Sequence, residues 1–184
     1  MLLQMIERYI PDCEQEIQDK RMILQYAHQH ENILLRSNET AHFTASPWIV
    51  NPSRTHVLMV YHNIYNSWSW IGGHADGEAD LLSVALREAQ EETGVSIIRP
   101  LSVNIFSLEI LTVAAHFKRG SYVVPHLHLN ATFLVEADDR QPIRSKADEN
   151  SAVRWFPLDE AVRASSEPAM QVIYRKLNDK LRRL

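Results

Sequence analysis

The stretch that most restricts the fold is Leu81 to Val95, LLSVALREAQEETGV, with the loop Gly72-Gly73-His74-Ala75-Asp76-Gly77-Glu78-Ala79-Asp80 ahead of it. Asp80 is suited to cap a helix, because its carboxylate accepts from the free N–H groups of the first turn. Gly94 is suited to end it, because it turns left-handed at no steric cost. Leu81, Leu82, Val84, Ala85 and Ala89 supply an apolar side. Glu88, Glu91 and Glu92 stand at i, i+3 and i+4, so three carboxylates share a face. Such like-charge neighbours destabilise an isolated helix by about 0.2–0.5 kcal/mol per pair. A cation reverses the sign. Oxygen donors alone suit a hard ion, Mg²⁺ or Mn²⁺, rather than zinc.

This stretch resembles the signature of the Nudix hydrolases, G-x5-E-x7-R-E-u-x-E-E-x-G-u, with u bulky and apolar. Gly73, Arg87, Glu88, Glu91, Glu92, Gly94 and Val95 match at the right spacing, and Ala89 is a small version of the first u. One element departs: Ala79 stands where the signature has its first Glu. In the family that Glu braces the motif arginine. Asp76, Glu78 and Asp80 flank the gap and are the acids available to pair with Arg87. The resemblance covers about residues 40–184. It implies an α/β (α+β) class, a Nudix-type α/β/α sandwich with a mixed sheet, here with an N-terminal helical extension over residues 1–39. Without it, the pattern supports only helices plus strands.

The chain is long enough for one domain plus an extension and for a sizeable core. A net charge of −4 argues against bulk nucleic-acid binding. The single Cys13 permits no intrachain disulfide and fits a reducing compartment. No apolar run has a membrane-spanning length, and no signal-peptide core opens the chain. The expected location is cytoplasmic.

Met1 to about Asn38 reads as helical, broken at Pro11-Asp12, with Cys13, Ile17, Leu24 and Ala27 at helical spacing. Packing on the core is the expectation, with a homodimer through these helices as the alternative. From Ala41 the pattern is β. His42 to Val50 is a strand in which Pro47 suggests an edge or a bulge. Asn51-Pro52-Ser53 is a turn, Thr55 to His62 a buried strand, Asn63 to Asn66 a loop, and Trp68-Ser69-Trp70 leads into the double Gly. Ser96 to Pro100 exits the helix, and Ser102 to Phe117 holds one or two strands. Lys118-Arg119-Gly120-Ser121 is a turn. His126 to Glu136 alternates, with Leu127, Leu129, Ala131, Phe133 and Val135 on one face and His126, His128, Asn130 and Thr132 on the other. A polar loop, Asp138 to Asn150, precedes a short strand, Ala152 to Phe156, and a helix from Pro157-Leu158-Asp159-Glu160. A last helix carries Met170, Ile173, Tyr174, Leu177, Leu181 and Leu184 on one stripe.

By the resemblance, Glu88, Glu91 and Glu92 bind Mg²⁺ or Mn²⁺ with the Gly72 carbonyl, and Arg87 positions a helix carboxylate. The implied reaction is hydrolysis of a diphosphate linkage in a nucleoside diphosphate derivative or related small molecule. Glu149, six residues before Trp155, is the candidate general base. His126, His128 and Trp70 are candidate substrate contacts, Trp70 by stacking on a base. Zinc at His126 and His128 is disfavoured, because two His at i, i+2 lack a near third ligand. Two alternatives stand beside the hydrolase. One is a non-catalytic nucleotide- or diphosphate-binding module, although such modules usually lose the helix carboxylates. The other is the fold's isopentenyl diphosphate isomerase branch. It needs a Cys before a Gly-His pair, where this chain has Gly72.

Overall fold

In the computed structural model, residues 2–118 and 120–184 are described. The expected turn at Lys118–Ser121 therefore includes Arg119, outside the described residues. Its neighbours on either side form short strands paired antiparallel, His116–Lys118 with Ser121–Val123. The elements in chain order are α1 (Leu2–Arg8), α2 (Glu14–Gln29), β1 (Ala41–Val50), β2 (His56–His62), β3 (Ser67–Ser69), β4 (Gly73–His74), α3 (Leu81–Thr93) and β5 (Ile98–Pro100). Then follow β6 (Ser107–Val113), β7 (His116–Lys118), β8 (Ser121–Val123), β9 (His126–Ala137), β10 (Asn150–Pro157), α4 (Leu158–Ala164) and α5 (Pro168–Leu181). Hydrogen bonding links eight strands along the path β10-β2-β1-β9-β5, with β3 on β2, β4 on β1 and β6 on β9. Contacts divide the chain into two compact units.

The first unit contains residues 1–46, 73–84 and 103–133. Here β6 pairs antiparallel with β9 from Ser107↔Thr132 to Val113↔His126, and β4 with β1 at Thr44↔His74 and Ala45↔Gly73. The Leu127 N–H bonds the Thr40 carbonyl, and the Thr44 and Ser46 hydroxyls donate to Asn130 Oδ1. The two strands advance together, so β1 and β9 run parallel and the sheet is mixed.

Helix α2 docks on β6. Gln15 Nε2 donates to the Leu108 carbonyl at 3.1 Å, and the Ile110 N–H to Asp19 Oδ2 at 2.9 Å. The inward residues of α2 are Ile23 and, against expectation, Glu16, while Ile17 is 48% exposed. A polar network holds Glu16 inside. The Ser107 hydroxyl donates to Glu16 Oε1 at 2.7 Å and also meets Glu109 Oε1. Thr132 Oγ1 and Asn130 Nδ2 donate to Glu109 Oε2 at 3.0 and 3.3 Å. The polar face of β9 is thus buried rather than solvated at Asn130 and Thr132.

The second unit contains residues 47–72, 85–102 and 134–184. β10 lies antiparallel along β2 from Asn150↔His62 to Pro157↔His56, and β3 pairs the end of β2. Ile98–Pro100, read from the sequence as a simple exit, pairs with the end of β9 as β5. α4 and α5 are two helices, because Ser165 and Glu167 leave helical geometry and Pro168 starts the next. Tyr174, Leu177 and Leu181 are buried as expected, but Leu184 is 72% exposed beyond the helix end.

Pro47 lies inside β1. β1 is buried throughout, and Pro47 falls between its pairing with β4 at Ala45 and with β2 at Val50. A missing N–H costs least in that gap. Among the described residues, no helix is long and apolar enough to cross a membrane.

Ser107→Ala should lose about 2–3 kcal/mol of unfolding free energy, because buried carboxylates lose a donor. Urea unfolding followed by circular dichroism measures it. An unchanged midpoint would show that this hydroxyl contributes nothing to holding α2.

Candidate active site

Helix α3 forms as its sequence dictates. Asp80 Oδ1 accepts from the Ser83 N–H at 3.2 Å, Asp80 Oδ2 accepts from the Ser83 hydroxyl at 2.7 Å, and Gly94 ends the helix at φ +72°. A Cβ at Gly94 would stand 2.5 Å from the Arg144 side chain, a second reason for glycine besides its φ. Leu81, Val84, Ala85 and Ala89 are fully buried. The carboxylates on the other face then separate. On a helix, i+4 lies about 40° from i on one side and i+3 about 60° on the other. Glu88 and Glu92 converge, and Glu149 joins them: one oxygen from each lies within 4.8 Å of the others. Glu91 turns outward, its Oε2 3.3 Å from Lys146 Nζ and its Oε1 4.0 Å from Arg87 Nε.

Each convergent carboxylate is held by its surroundings. The Gly72 N–H donates to Glu92 Oε1 at 3.3 Å, and the Asn150 side chain donates to the Glu92 carbonyl at 3.1 Å. Arg87 Nη2 donates to Glu88 Oε1 at 3.3 Å. The Glu149 carbonyl accepts from the Asn63 N–H at 3.0 Å, and its Oε2 sits 3.2 Å from Lys146 Nζ. Glu92 is 4% exposed. Burial, with repulsion from Glu149 and Glu88, pushes its carboxyl up to about 8, against the Gly72 N–H and Lys146. Burial also raises Glu88. Excess negative charge at a site of oxygen donors fits a hard divalent cation.

The loop before α3 is braced without the signature Glu. Asp76, left-handed at φ 48°, pairs with Arg36, whose Nε lies 2.7 Å from Oδ1. That pairing holds the Asp76 carboxyl below the usual range. The Gly77 N–H bonds the Leu34 carbonyl and the Ala75 N–H the Phe43 carbonyl. Glu78 accepts from the Asp80 N–H, and Asp80 caps the helix. The three acids expected to serve Arg87 therefore have other partners, and Arg87 is paired with Glu88 and Glu91 instead.

The remaining candidates fall elsewhere. The Trp70 N–H donates to the Tyr174 hydroxyl at 3.0 Å, and its half-buried ring packs edge-on against Tyr174, centroids 5.8 Å apart. Cys13 is half-buried at the start of α2. His126 and His128 point to a common centre with His42 of β1 and His74 of β4. The zinc argument from sequence lacked a third ligand, and here the topology supplies a third and a fourth. Neither was legible in the sequence, because the four residues come from three strands. Burial lowers His42. Burial, then the His74, His42 and His126 imidazoles, drives His128 down to about 2. His42 Nε2 is buried with no hydrogen-bond partner. Such an atom costs about 1–3 kcal/mol.

The NUDIX domain family model matches residues 41–177. The chain is 33% identical over 128 residues to the CMP-5′-(N-acetyl-N-hydroxy-3-aminopropyl)phosphonate hydrolase of Streptomyces rubellomurinus, covering 65% of this chain and 56% of that protein. It is 30% identical over 115 residues to the asymmetrical bis(5′-nucleosyl)-tetraphosphatase of Rattus norvegicus, covering 62% of this chain and 72% of that protein. The chain thus spans little more than half the length of the first relative. The fold is similar to that of a C. elegans Ap4A hydrolase, with TM-score 0.54 and 17% identity over 77% of this chain and 98% of that one.

A raised carboxyl has a signed consequence. The native state keeps the Glu92 proton between the ordinary value of 4.5 and about 8, so its contribution to stability is lost as pH rises through that window. In chelator, the melting temperature of the unaltered chain should fall relative to Glu92→Gln between about pH 5 and pH 8. Parallel melting curves would mean that Glu92 ionises normally.

Proposed function

The chain belongs to the Nudix family, and on that premise we propose that it is a Mg²⁺- or Mn²⁺-dependent pyrophosphohydrolase of nucleoside 5′-diphosphate derivatives. The observation that carries the reading is the convergence of Glu88, Glu92 and Glu149 within 4.8 Å. The substrate class rests on the names of the two relatives, one a hydrolase of a CMP-5′ phosphonate, the other a bis(5′-nucleosyl)-tetraphosphatase.

Glu88 and Glu92 are the ion-holding pair in this reading. Glu91 and the Gly72 carbonyl are the further donors that the family pattern offers. A bound divalent ion supplies charge neutralisation on the phosphates and a more acidic water. The chain's own residues do the rest. Glu149 takes the proton of the attacking water, and Lys146, 3.2 Å from it, orients the carboxylate. Arg87 fixes Glu88, and the Gly72 N–H fixes Glu92. The part of the Trp70 ring not packed on Tyr174 is the surface offered to a base.

The experiment is phosphate release with Mg²⁺ on a panel of nucleoside diphosphate conjugates and dinucleoside polyphosphates. Glu92→Gln should lower kcat by about 10²-fold or more, because it removes charge that holds the ion at the reacting phosphate. Ala79→Glu should change kcat by less than about tenfold, under ~1.4 kcal/mol of barrier, because Arg36 and Asp76 already brace the loop. A parent without turnover on any of these, which Ala79→Glu restores, would identify a non-catalytic binding module instead.

A further inference from the structure

We propose that His42, His74, His126 and His128 bind a divalent transition-metal ion, Zn²⁺ the expected occupant, as a second metal site with no residue in common with the carboxylates. One nitrogen from each lies within 4.8 Å of the others. The ring centroids of His42 stand 5.1, 5.0 and 5.2 Å from those of His74, His126 and His128. His74 and His126 stand 4.9 and 5.0 Å from His128. Five of the six ring pairs therefore stand at nearly equal spacing. Tetrahedral zinc with Zn–N of about 2.0–2.1 Å sets its nitrogens about 3.3 Å apart. His126 Nε2 and His128 Nε2 are already 3.1 Å apart.

The protonation pattern is the second argument. His42 Nδ1 lies 2.9 Å from the Asn38 carbonyl and His126 Nδ1 2.8 Å from the Val124 carbonyl. A carbonyl only accepts, so in both rings Nδ1 carries a hydrogen, which leaves Nε2 as the nitrogen that can offer a lone pair to an ion. Backbone carbonyls on the outer nitrogen are the usual way metal-bound imidazoles are oriented. His42 is 4% exposed and its Nε2 has no hydrogen-bond partner. An ion gives that lone pair a partner. A phosphate does not, because lone pairs facing it repel its oxygens.

Chemistry selects the class of ion. Four neutral imidazoles suit Zn²⁺ and its neighbours, whereas Mg²⁺ and Ca²⁺ take oxygen. With four protein ligands no position is left open, so the site is structural. It ties β4, which begins at Gly73, to β1 and β9.

The test uses the full chain, stripped with chelator and returned to excess Mg²⁺, which occupies oxygen donors. Equilibrium dialysis against Zn²⁺ with elemental analysis should give one tightly bound ion per chain. Glu88→Gln/Glu92→Gln/Glu149→Gln should keep it, and His126→Asn/His128→Asn should weaken it by about 10²-fold or more. Co²⁺ on the unaltered chain should show the intense visible bands of a four-coordinate ion. That spectrum decides the matter even where the His variant fails to fold. Absence of tight Zn²⁺, a weak six-coordinate Co²⁺ spectrum, or Zn²⁺ retained by the folded His variant would each overturn the assignment.

Discussion

Three carboxylates brought within 4.8 Å repel one another, and the second unit of this protein is built around that repulsion. Burial, with that repulsion, raises Glu92 to about 8, so without a cation this carboxyl relieves the strain by keeping its proton. Nothing in helix propensity favours such an arrangement. It is held by packing and by small polar contacts. Leu81, Val84, Ala85 and Ala89 fix which face of α3 turns inward. The Gly72 N–H and Arg87 then hold the carboxylates of Glu92 and Glu88, and Asn150 holds the Glu92 backbone carbonyl. Gly94 lets the chain leave the helix where Arg144 crosses it, and the Arg144 N–H bonds the Thr93 carbonyl at 2.8 Å. Charge strain of this kind persists only where surrounding structure over-determines it, which is typical of functional sites.

In the first unit, buried carboxylates are met by hydroxyl and amide donors. Along one face of β9, His126 and His128 give way to Asn130 and Thr132, and the face changes partners accordingly. The amide and hydroxyl join Glu109, Ser107 and Glu16 in a hydrogen-bonded network that seats α2. The imidazoles meet His42 and His74, two rings whose strands the β1·β4 pairing at Thr44↔His74 sets side by side. A hard-donor cluster and a soft-donor cluster thus sit in one chain, each in its own unit. The donor types select different ions, by the usual preference of oxygen for hard cations and imidazole for transition metals.

Much of the helix and its chemistry was legible along the chain. Local spacing carried the Asp80 cap, the Gly94 stop, the apolar side of α3 and the placing of Glu88, Glu91 and Glu92 on one side of it. These depend only on the pitch of a helix and on backbone sterics. The strand pattern of β2 and β10 was readable for the same reason. Misreadings came where tertiary contacts override local preference. Pro47 lies in an interior strand because it falls between two pairings. Glu16 is buried because a serine hydroxyl from β6 donates to its carboxylate. Ala79 leaves no slack loop, because Arg36, forty residues before Asp76, supplies the brace.

The sequence by itself determined the family and the composition of the carboxylate face, since both are written within one helix and the loop before it. Tertiary structure alone decided which acid joins that face and which leaves it. Glu149 arrives from the polar loop ahead of β10, and Glu91 is drawn away to Lys146. It also decided that four histidines from three strands share a centre. No periodicity encodes these meetings, because the residues that meet are brought together by strand pairing and packing, whose partners lie tens of residues apart.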